Sequence, residues 1–340
     1  MNRDNRSRGD RTARMKFRGL GLGLAAIVAM WAGITGTATA TADTVDETID
    51  VGGSPSAVVV APDGTRIYVT LPTANAVSVI DASDNTVVDT IRFGHYPQYA
   101  TVSPDGTRLY VTNFSNHTVT VIDTSTNTVT DTIDVGDAPQ GAAVSLDGTR
   151  VYTGTTYDDA DGNVNPALDV IDTSNNTVES IPVENRVQDV TVSADGTRLY
   201  ATSFQNNSVD VFDTSDNTLV TTVPVENGPE GVAVTQDGSR VLVVNNGADT
   251  VSVIDASTNR VVETIGAGNY PREVAVTPDG THAYATNSID GSVSVINTSD
   301  NTVAETISVG NWPVGVAIAH DGSRVYVANE NSDAVSVISR

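Results

Sequence analysis

Short runs of alternating apolar and polar residues recur along almost the whole chain. The stretch 97–133 contains four of them: Tyr99–Val102, Arg108–Thr112, Thr118–Asp123 and Thr128–Ile133. Val, Tyr, Ile and Thr at a period of two are typical of β-strands. Between the first two runs lies Ser103-Pro-Asp-Gly-Thr, and its Pro and Gly suit a tight hairpin turn. The stretch therefore predicts a four-stranded antiparallel sheet.

The same unit is repeated seven times, and each copy is marked by an Asp-Gly turn. These turns lie at Asp63, Asp105, Asp147, Asp195, Asp237, Asp279 and Asp321, with spacings of 42, 42, 48, 42, 42 and 42 residues. Repeats of this length with four strands each are typical of propellers. Helix-starting caps before apolar runs are absent from the sequence. We therefore predict an all-β fold, a seven-bladed β-propeller.

The N-terminal strand is predicted to close the ring. The last unit supplies only three strands before the sequence stops at Arg340. Thr44–Ile49 has the Thr-Val-x-Asp/Glu-Thr-Ile pattern of the missing fourth strand. Closure would remove an open sheet edge that otherwise invites aggregation. Residues 43–340 are thus expected to form a single propeller domain.

The first 42 residues predict a secretory signal peptide. Seven basic residues and two acids occupy positions 1–18, an apolar run covers Gly19–Trp31, and small residues fill Thr37–Ala42. A basic start, an apolar stretch and an Ala-x-Ala site form such a signal, with cleavage after Ala40 or Ala42. An uncleaved anchor is the alternative, since about 20 apolar or small residues span a bilayer. We expect cleavage and a secreted, periplasmic or cell-surface protein without a membrane span, because Gly and Thr dilute the run.

Without this segment the chain is strongly acidic. Removing two of 42 acids and seven of 18 basic residues leaves 40 acids and 11 Arg, a formal charge of 11 − 40 = −29. That charge argues against nucleic acid and anionic membranes as partners. The chain has no cysteine, which excludes disulfides and thiol catalysis.

Leu109-Tyr-Val-Thr-Asn113 carries the signature of the YVTN β-propeller repeat family. Variants recur at Ile67, Leu199, Ala283 and Val325, and the flanking Ser-Pro-Asp-Gly-Thr-Arg also resembles that family. The resemblance covers nearly all of residues 43–340 and implies the fold and an exported or surface-associated location. Related seven-bladed propellers include lactonase-like and streptogramin-lyase-like enzymes. The resemblance implies activity only weakly.

The two faces of the predicted disc differ in how far their loops vary. The Asp-Gly and Asp-x-Ser-x-Asn turns repeat in the units and are assigned to structure, because Asp and Asn oxygens accept local backbone bonds. The loops that enter the innermost strand vary, and they ring the mouth of the central channel. The candidate ligand-binding residues there are Tyr96, Gln98, Gln140, Arg186, Gln188, Glu230, Tyr270, Arg272 and Trp312.

Aromatic faces beside a few polar groups suit a small-molecule or glycan site. Six arginines share one repeated position that opens the second strand and are expected to pair with nearby acids: Arg66, Arg108, Arg150, Arg198, Arg240 and Arg324. Arg186 and Arg272 depart from that position. They would either orient an anionic ligand group or pair with Glu230 or Glu273.

Two further polar groups suggest metal binding only weakly. His95 and His117 belong to the same unit, but no third ligand has a fixed spacing to them, so we expect surface histidines. The acidic loop 157–163 would hold Ca²⁺ or, as we expect, is simply solvated. We therefore predict no metal site and no cofactor.

Taken together, the sequence predicts a monomeric exported binding module. Its partner at the channel mouth would be a small molecule, a glycan or a protein. One alternative is an enzyme of lactonase or lyase type with a bound divalent ion, in which Glu230 or His95 acts as acid or base. The other is a structural surface-layer building block.

Overall fold

The computed structural model describes residues 42–93, 95–158 and 164–340. In this part of the chain, 28 strands form seven antiparallel sheets of four strands each. From the innermost strand outward, blade 1 contains β2 (Val58–Val60), β3 (Arg66–Leu71), β4 (Ala76–Asp81) and β5 (Thr86–Arg92). Blade 2 contains β6 (Pro97–Val102), β7 (Arg108–Asn113), β8 (Thr118–Asp123) and β9 (Thr128–Asp134). The seven-bladed propeller is therefore confirmed.

The other blades follow the same order. Blade 3 contains β10 (Asp137–Val144), β11 (Arg150–Asp158), β12 (Val164–Asp172) and β13 (Val178–Pro182), and blade 4 contains β14 (Val187–Val192), β15 (Arg198–Ser203), β16 (Ser208–Asp213) and β17 (Thr218–Pro224). Blade 5 contains β18 (Pro229–Val234), β19 (Arg240–Asn245), β20 (Thr250–Asp255) and β21 (Arg260–Gly266). Blade 6 contains β22 (Pro271–Val276), β23 (His282–Asn287), β24 (Ser292–Asn297) and β25 (Thr302–Ser308).

Blade 7 closes the ring as the sequence predicts. It contains β26 (Pro313–Ile318), β27 (Arg324–Asn329), β28 (Ala334–Ser339) and, as its outermost strand, β1 (Thr44–Asp50). β1 pairs antiparallel with β28, with Ile49 opposite Val335. The N-terminal strand thus covers an edge that would otherwise be unpaired. Two short 3-10 turns, Pro72–Ala74 and Glu330–Ser332, lie between the second and third strands of blades 1 and 7.

The hydrophobic core lies between neighbouring blades. The second and third strands are buried on both faces because each blade packs against the next. Tyr68 of blade 1, for example, packs with Leu109 and Val111 of blade 2. Strands buried on both faces lose strict alternation, whereas the outer strands expose most of their residues. In the described residues no helix is long and apolar enough to cross a membrane.

The repeated turns have the structural role that the sequence predicts. Each Asp-Gly turn places its glycine in the left-handed region, at φ between 68° and 74°, where other residues are strained. Asp105 accepts hydrogen bonds from the Ser103 and Thr107 hydroxyls and from the Thr107 N–H. These bonds lower the pKa of Asp105. Its carboxylate is therefore engaged in holding the turn.

The repeated arginines at the start of the second strand fall into two groups. Three form ion pairs within their own blade, at 2.6–2.7 Å: Arg66 with Asp81, Arg198 with Asp213 and Arg240 with Asp255. The other three donate to backbone carbonyls of a neighbouring blade: Arg108 to Thr173, Arg150 to Thr214 and Arg324 to Ala82. The predicted pairing with acids is correct for the first group only, because the second group reaches across the blade boundary.

Candidate functional site

A β-bulge in the innermost strand positions the site residues. In blade 2, Pro97 pairs with Asn113 and Ala100 with Val111, so two residues, Gln98 and Tyr99, face one residue on the partner strand. The same shift occurs in blades 4 to 7. A bulge re-aims side chains at the rim of a sheet. It brings two consecutive residues to the channel, as Arg272 and Glu273 show in blade 6.

The threonine of the Tyr-Val-Thr-Asn signature fixes this bulge. Thr202 accepts a hydrogen bond from the Asp189 N–H at 3.0 Å and donates one to the Glu230 carbonyl of the next blade at 2.7 Å. Thr286 does the same for Glu273 and Val314. The signature hydroxyl therefore joins the channel-facing segments of adjacent blades.

The asparagine that ends the signature is also structural. Asn113 is fully buried and donates to the hydroxyls of Thr118 and Thr120 on the next strand of its own blade. Asn245 and Asn287 repeat these contacts with the hydroxyl residues of their own third strands. These bonds tie the second strand to the third, so the recognisable repeat supports the site without forming it.

The channel holds a cavity of about 190 Å³ whose charged lining residues come from blades 4 and 6. Asp189, Arg272 and Glu273 line it together with Tyr99. Arg272 Nε lies 2.7 Å from Glu230 Oε2. Three carboxyl groups therefore share one guanidinium in a largely buried space, and desolvation disfavours their ionised forms.

Each carboxyl group responds to this burial. Burial raises the pKa of Asp189 to about 7 against two backbone hydrogen bonds, from Val190 and Val232, that lower it. Burial also raises the pKa of Glu230 to about 7, although Arg272 lowers it. Burial and then the neighbouring Asp189 raise the pKa of Glu273 well above its ordinary value. The channel thus holds carboxyl groups poised to carry protons near neutral pH.

Glycines in the bulges make room for these side chains. A Cβ atom on Gly231 would lie 2.6 Å from Glu273 Oε1 and 2.8 Å from the Arg272 carbonyl oxygen. One on Gly141 would lie 2.9 Å from Asp189 Cα. Such contacts are too short to form without movement of the backbone. Small and large residues therefore alternate around this level of the channel.

An aromatic and cationic cluster lies at the mouth beside blades 6 and 7. The Tyr270 and Trp312 rings have centroids 5.8 Å apart, and the Arg272 guanidinium carbon lies 5.9 Å from the Tyr270 centroid. Arg272 also pairs with Glu230, so carboxylate, guanidinium, phenol and indole are contiguous. We call Glu230, Tyr270, Arg272 and Trp312 the mouth cluster.

The aromatic residues at the mouth have strained backbones. Tyr96, Tyr270 and Trp312 have φ of 60°, 60° and 56°, in the left-handed region that costs L-residues about 1–2 kcal/mol. Gly228 occupies the corresponding position of blade 5. Side-chain acceptors of the preceding blade hold this geometry: Asn75 binds the Tyr96 N–H and Asp249 binds the Tyr270 N–H. Ser54 and Ala138 have the same left-handed φ, so this backbone belongs to the repeated entry loop.

A second cluster faces the mouth from blades 2 to 4. The Arg186 guanidinium carbon lies 5.8 Å from the Phe114 centroid, and Phe114 contacts Tyr96 at 6.4 Å. Arg186 donates to the Ala138 carbonyl at 3.3 Å, but its Nε is buried without a partner in the described residues. The Oε1 atoms of Gln98 and Gln140 are also buried and unpaired there. Buried polar atoms normally have partners, so this side has unused hydrogen-bonding capacity.

The structure brings the predicted site residues to one face but separates them into the two clusters. Gln188 is half-buried and occupies the first bulge position of blade 4. Arg272 pairs with Glu230, one of the two expectations, whereas Arg186 pairs with neither predicted acid. Tyr99, Asp189 and Glu273 were not among the candidate site residues, although the sequence did suggest Glu273 as a partner for an arginine. An acid inside the apolar innermost strand was the available signal for the last two.

The histidines have separate structural surroundings. His117 Nδ1 accepts a hydrogen bond from the Ala138 backbone N–H at 3.0 Å and lies 3.2 Å from Asp137. The backbone N–H of His95 donates to the Asn75 side chain. In the described residues, no group of three or more His, Asp or Glu side chains is arranged to hold a metal ion. Residues 159–163 of the acidic loop lie outside the described residues.

Comparisons with known proteins agree with the architecture. The family model described as "Lactonase, 7-bladed beta-propeller" matches residues 149–262 and 255–340, which together span more than half of the chain. The model "YNCE-like beta-propeller" matches residues 11–150. No curated protein matches the chain.

Solved structures show the same fold. A Kuenenia stuttgartiensis hydrazine synthase chain superposes with a TM-score of 0.76 at 23% identity, covering 90% of this chain and 99% of the other. A streptogramin B lyase superposes with a TM-score of 0.72 at 16% identity, covering 86% and 96%. At these identities the likeness concerns the fold alone.

Proposed function

Because this chain belongs to the family described as "Lactonase, 7-bladed beta-propeller", we propose that it works through the mouth of its central channel, where it binds a small polyhydroxylated molecule. The observation that carries the proposal is the mouth cluster. Its aromatic faces lie against a guanidinium that is already held by Glu230. Apolar faces with a few fixed polar groups are typical of small-molecule sites.

The charge at the site favours a neutral ligand. Arg272 is paired with Glu230, while burial raises the pKa of Asp189 to about 7 and the pKa of Glu273 well above its ordinary value. A free anion would find Arg272 already neutralised by Glu230, while a free cation would be repelled by Arg272 and Arg186. Hydroxyl groups, in contrast, both donate and accept, so they match the ion pair and the unpaired amide oxygens of Gln98 and Gln140.

Tryptophan fluorescence tests the proposal directly. The chain has two tryptophans, and a protein starting at Asp43 retains only Trp312. We expect a neutral sugar or sugar lactone to change its emission saturably, while acidic and cationic analogues of the same size bind more weakly. A panel without any saturable binder would overturn the proposal.

Matched variants locate the ligand. Trp312→Ala should weaken binding, measured by calorimetry, at least about fivefold, since an aromatic contact contributes about 1 kcal/mol. Phe204→Ala is the control, because Phe204 is an exposed aromatic residue of blade 4 outside both clusters. It should change affinity less than twofold. Unchanged binding by the Trp312 variant would place the ligand elsewhere.

A second candidate, hydrolysis of a lactone, rests on Glu230. Burial raises the pKa of Glu230 to about 7, which suits a general acid or base near neutral pH. Its partner Arg272 is placed to stabilise developing negative charge on a carbonyl oxygen. Lactone turnover should then rise as pH increases through about 7 and fall at least 100-fold in Glu230→Gln. A wild-type rate equal to the uncatalysed rate would remove this candidate.

The proposal also covers the cellular location of the protein and the family of its repeat. We infer export to the periplasm, surface or medium from the basic and apolar character of residues 1–42, and a monomer as the working state. The YVTN assignment is supported by the structural roles of its threonine and asparagine. Fractionation of cells that express the full chain tests export: recovery in the cytoplasm alone would contradict it.

A further inference from the structure

The turns between the third and fourth strands join neighbouring blades through an asparagine. The Asn85 amide donates to Glu47 at 2.7 Å, and the Asn127 amide donates to Asp89 at 3.0 Å. Asn176 makes the same bond to Asp131. In each case the acid belongs to the outer strand of the preceding blade. A neutral amide on one blade thus binds a carboxylate on the preceding blade.

The seam of the ring replaces this amide with a backbone nitrogen. Asp43 precedes β1 as Asn85 precedes β5, so it takes the place of the repeated asparagine. Its backbone N–H donates to Glu305 Oε1 at 3.1 Å. Its carboxylate accepts a hydrogen bond from the Tyr284 hydroxyl. Both partners belong to blade 6, the preceding blade.

We propose that the Ala42–Asp43 peptide bond is the processing site, and that the amino group released there pairs with Glu305 to lock the ring. Water adds to the Ala42 carbonyl carbon, the C–N bond breaks, Ala42 leaves as a carboxylate and Asp43 gains an ammonium group. Of the two Ala-x-Ala sites, the one that ends at Ala42 places the new charge at Glu305. The proposal rests on the export inferred above and is independent of any ligand at the mouth.

The electrostatic surroundings favour a cation at this position. The new amino group would lie beside the Asp43 and Glu305 carboxylates and the Tyr284 hydroxyl. The positive charge of Arg340 also interacts with Tyr284. An ammonium donor adds the attraction between two full charges to the hydrogen bond that the backbone N–H already donates to the carboxylate. The seam gains most from this, because β1 is the outer strand that no hairpin joins to the rest of its blade.

The first test is the N-terminus of the exported protein. The full chain is expressed in a host with signal peptidase, isolated after export, and measured by intact mass and N-terminal sequencing. We expect Asp43 as the first residue. A chain that begins at Thr41, or one that retains Met1, would overturn the assignment of the site.

The second test is the strength of the lock. In the protein that starts at Asp43, Glu305→Gln should lower Tm by about 2–4 °C, whereas Asp89→Asn, which faces a neutral amide, should lower it by less than about 1 °C. The full-length chain should lose less from Glu305→Gln than the processed protein does. Equal losses in the two forms would show that the released charge has no role.

Discussion

Arg272 Nε lies 2.7 Å from Glu230 Oε2, and Arg272 lines the same cavity as two further carboxyl groups, those of Asp189 and Glu273. Because one cation serves three acids, the net charge of the channel depends on pH. Asp189 and Glu273 raise each other's cost of ionisation, and neither has an ion pair to an Arg or His in the described residues. The stability of the fold is therefore linked to the protonation of the channel.

Asp189→Asn should stabilise the protein at pH 8 and leave it unchanged at pH 4. The pKa of Asp189 is raised from 3.8 to about 7 in the folded protein, so ionisation favours the unfolded chain above about pH 4. The wild type loses stability as pH rises from 4 to 7, and the asparagine removes that loss. Urea denaturation should show a gain on the order of 1–4 kcal/mol at pH 8. An equal gain at both pH values would contradict the linkage.

Arg272→Gln should destabilise the protein by about 3–5 kcal/mol at pH 8, because it leaves a buried Glu230 carboxylate without its cation. The loss should shrink at pH 5, where Glu230, with a pKa raised to about 7, is protonated. Arg66→Gln is the matched control. Its pair with Asp81 is more exposed, with 38% of the arginine side chain accessible, so its loss should stay within about 1 kcal/mol. Similar losses in both variants would show that the channel pair has no special burial.

The fold was predictable because each blade repeats the same local sequence features. The Asp-Gly turns, the strand alternation and the Thr44–Ile49 pattern are each local features of the chain, and they agree with one another. The channel was only half predictable. In a regular strand, either Arg272 or Glu273 would point away from the channel, whereas the bulge directs both side chains towards it.

Contacts that skip a blade were beyond sequence reasoning for a different reason. Arg186 enters blade 4 but lies over Phe114 of blade 2, and no repeat spacing encodes that distance. Asp43 and Tyr284 belong to neighbouring blades, but they meet only across the seam, between residues 241 positions apart in the sequence. Such contacts depend on the curvature of the closed ring rather than on any single unit.

His117→Asn should leave the free energy of unfolding within about 0.5 kcal/mol of the wild type. In blades 1, 4 and 5 this position is occupied by Asn75, Asn207 and Asp249, each of which accepts an entry-loop N–H. Asparagine also tolerates the left-handed φ of 59°. His117→Ala should cost about 1–2 kcal/mol, since the Ala138 N–H loses its acceptor. Added Zn²⁺ should raise the Tm of neither wild type nor variant. A zinc-dependent rise confined to wild type would show that His117 is a metal ligand.

Thr202→Val tests whether the threonine of the repeat signature supports the mouth cluster. Valine keeps the shape of threonine but removes the hydroxyl that accepts from the Asp189 N–H and donates to the Glu230 carbonyl. Two buried polar groups then lose a partner, which should lower the free energy of unfolding by about 1–3 kcal/mol. Because Glu230 holds Arg272, ligand affinity at the mouth should fall as well. Thr202→Ser is the matched control: it keeps the hydroxyl, loses one methyl group and should retain the affinity of the wild type. If the valine variant binds ligand normally while its stability falls, Thr202 stabilises the fold but does not position the mouth cluster. Arg272 would then keep its place without help from Thr202.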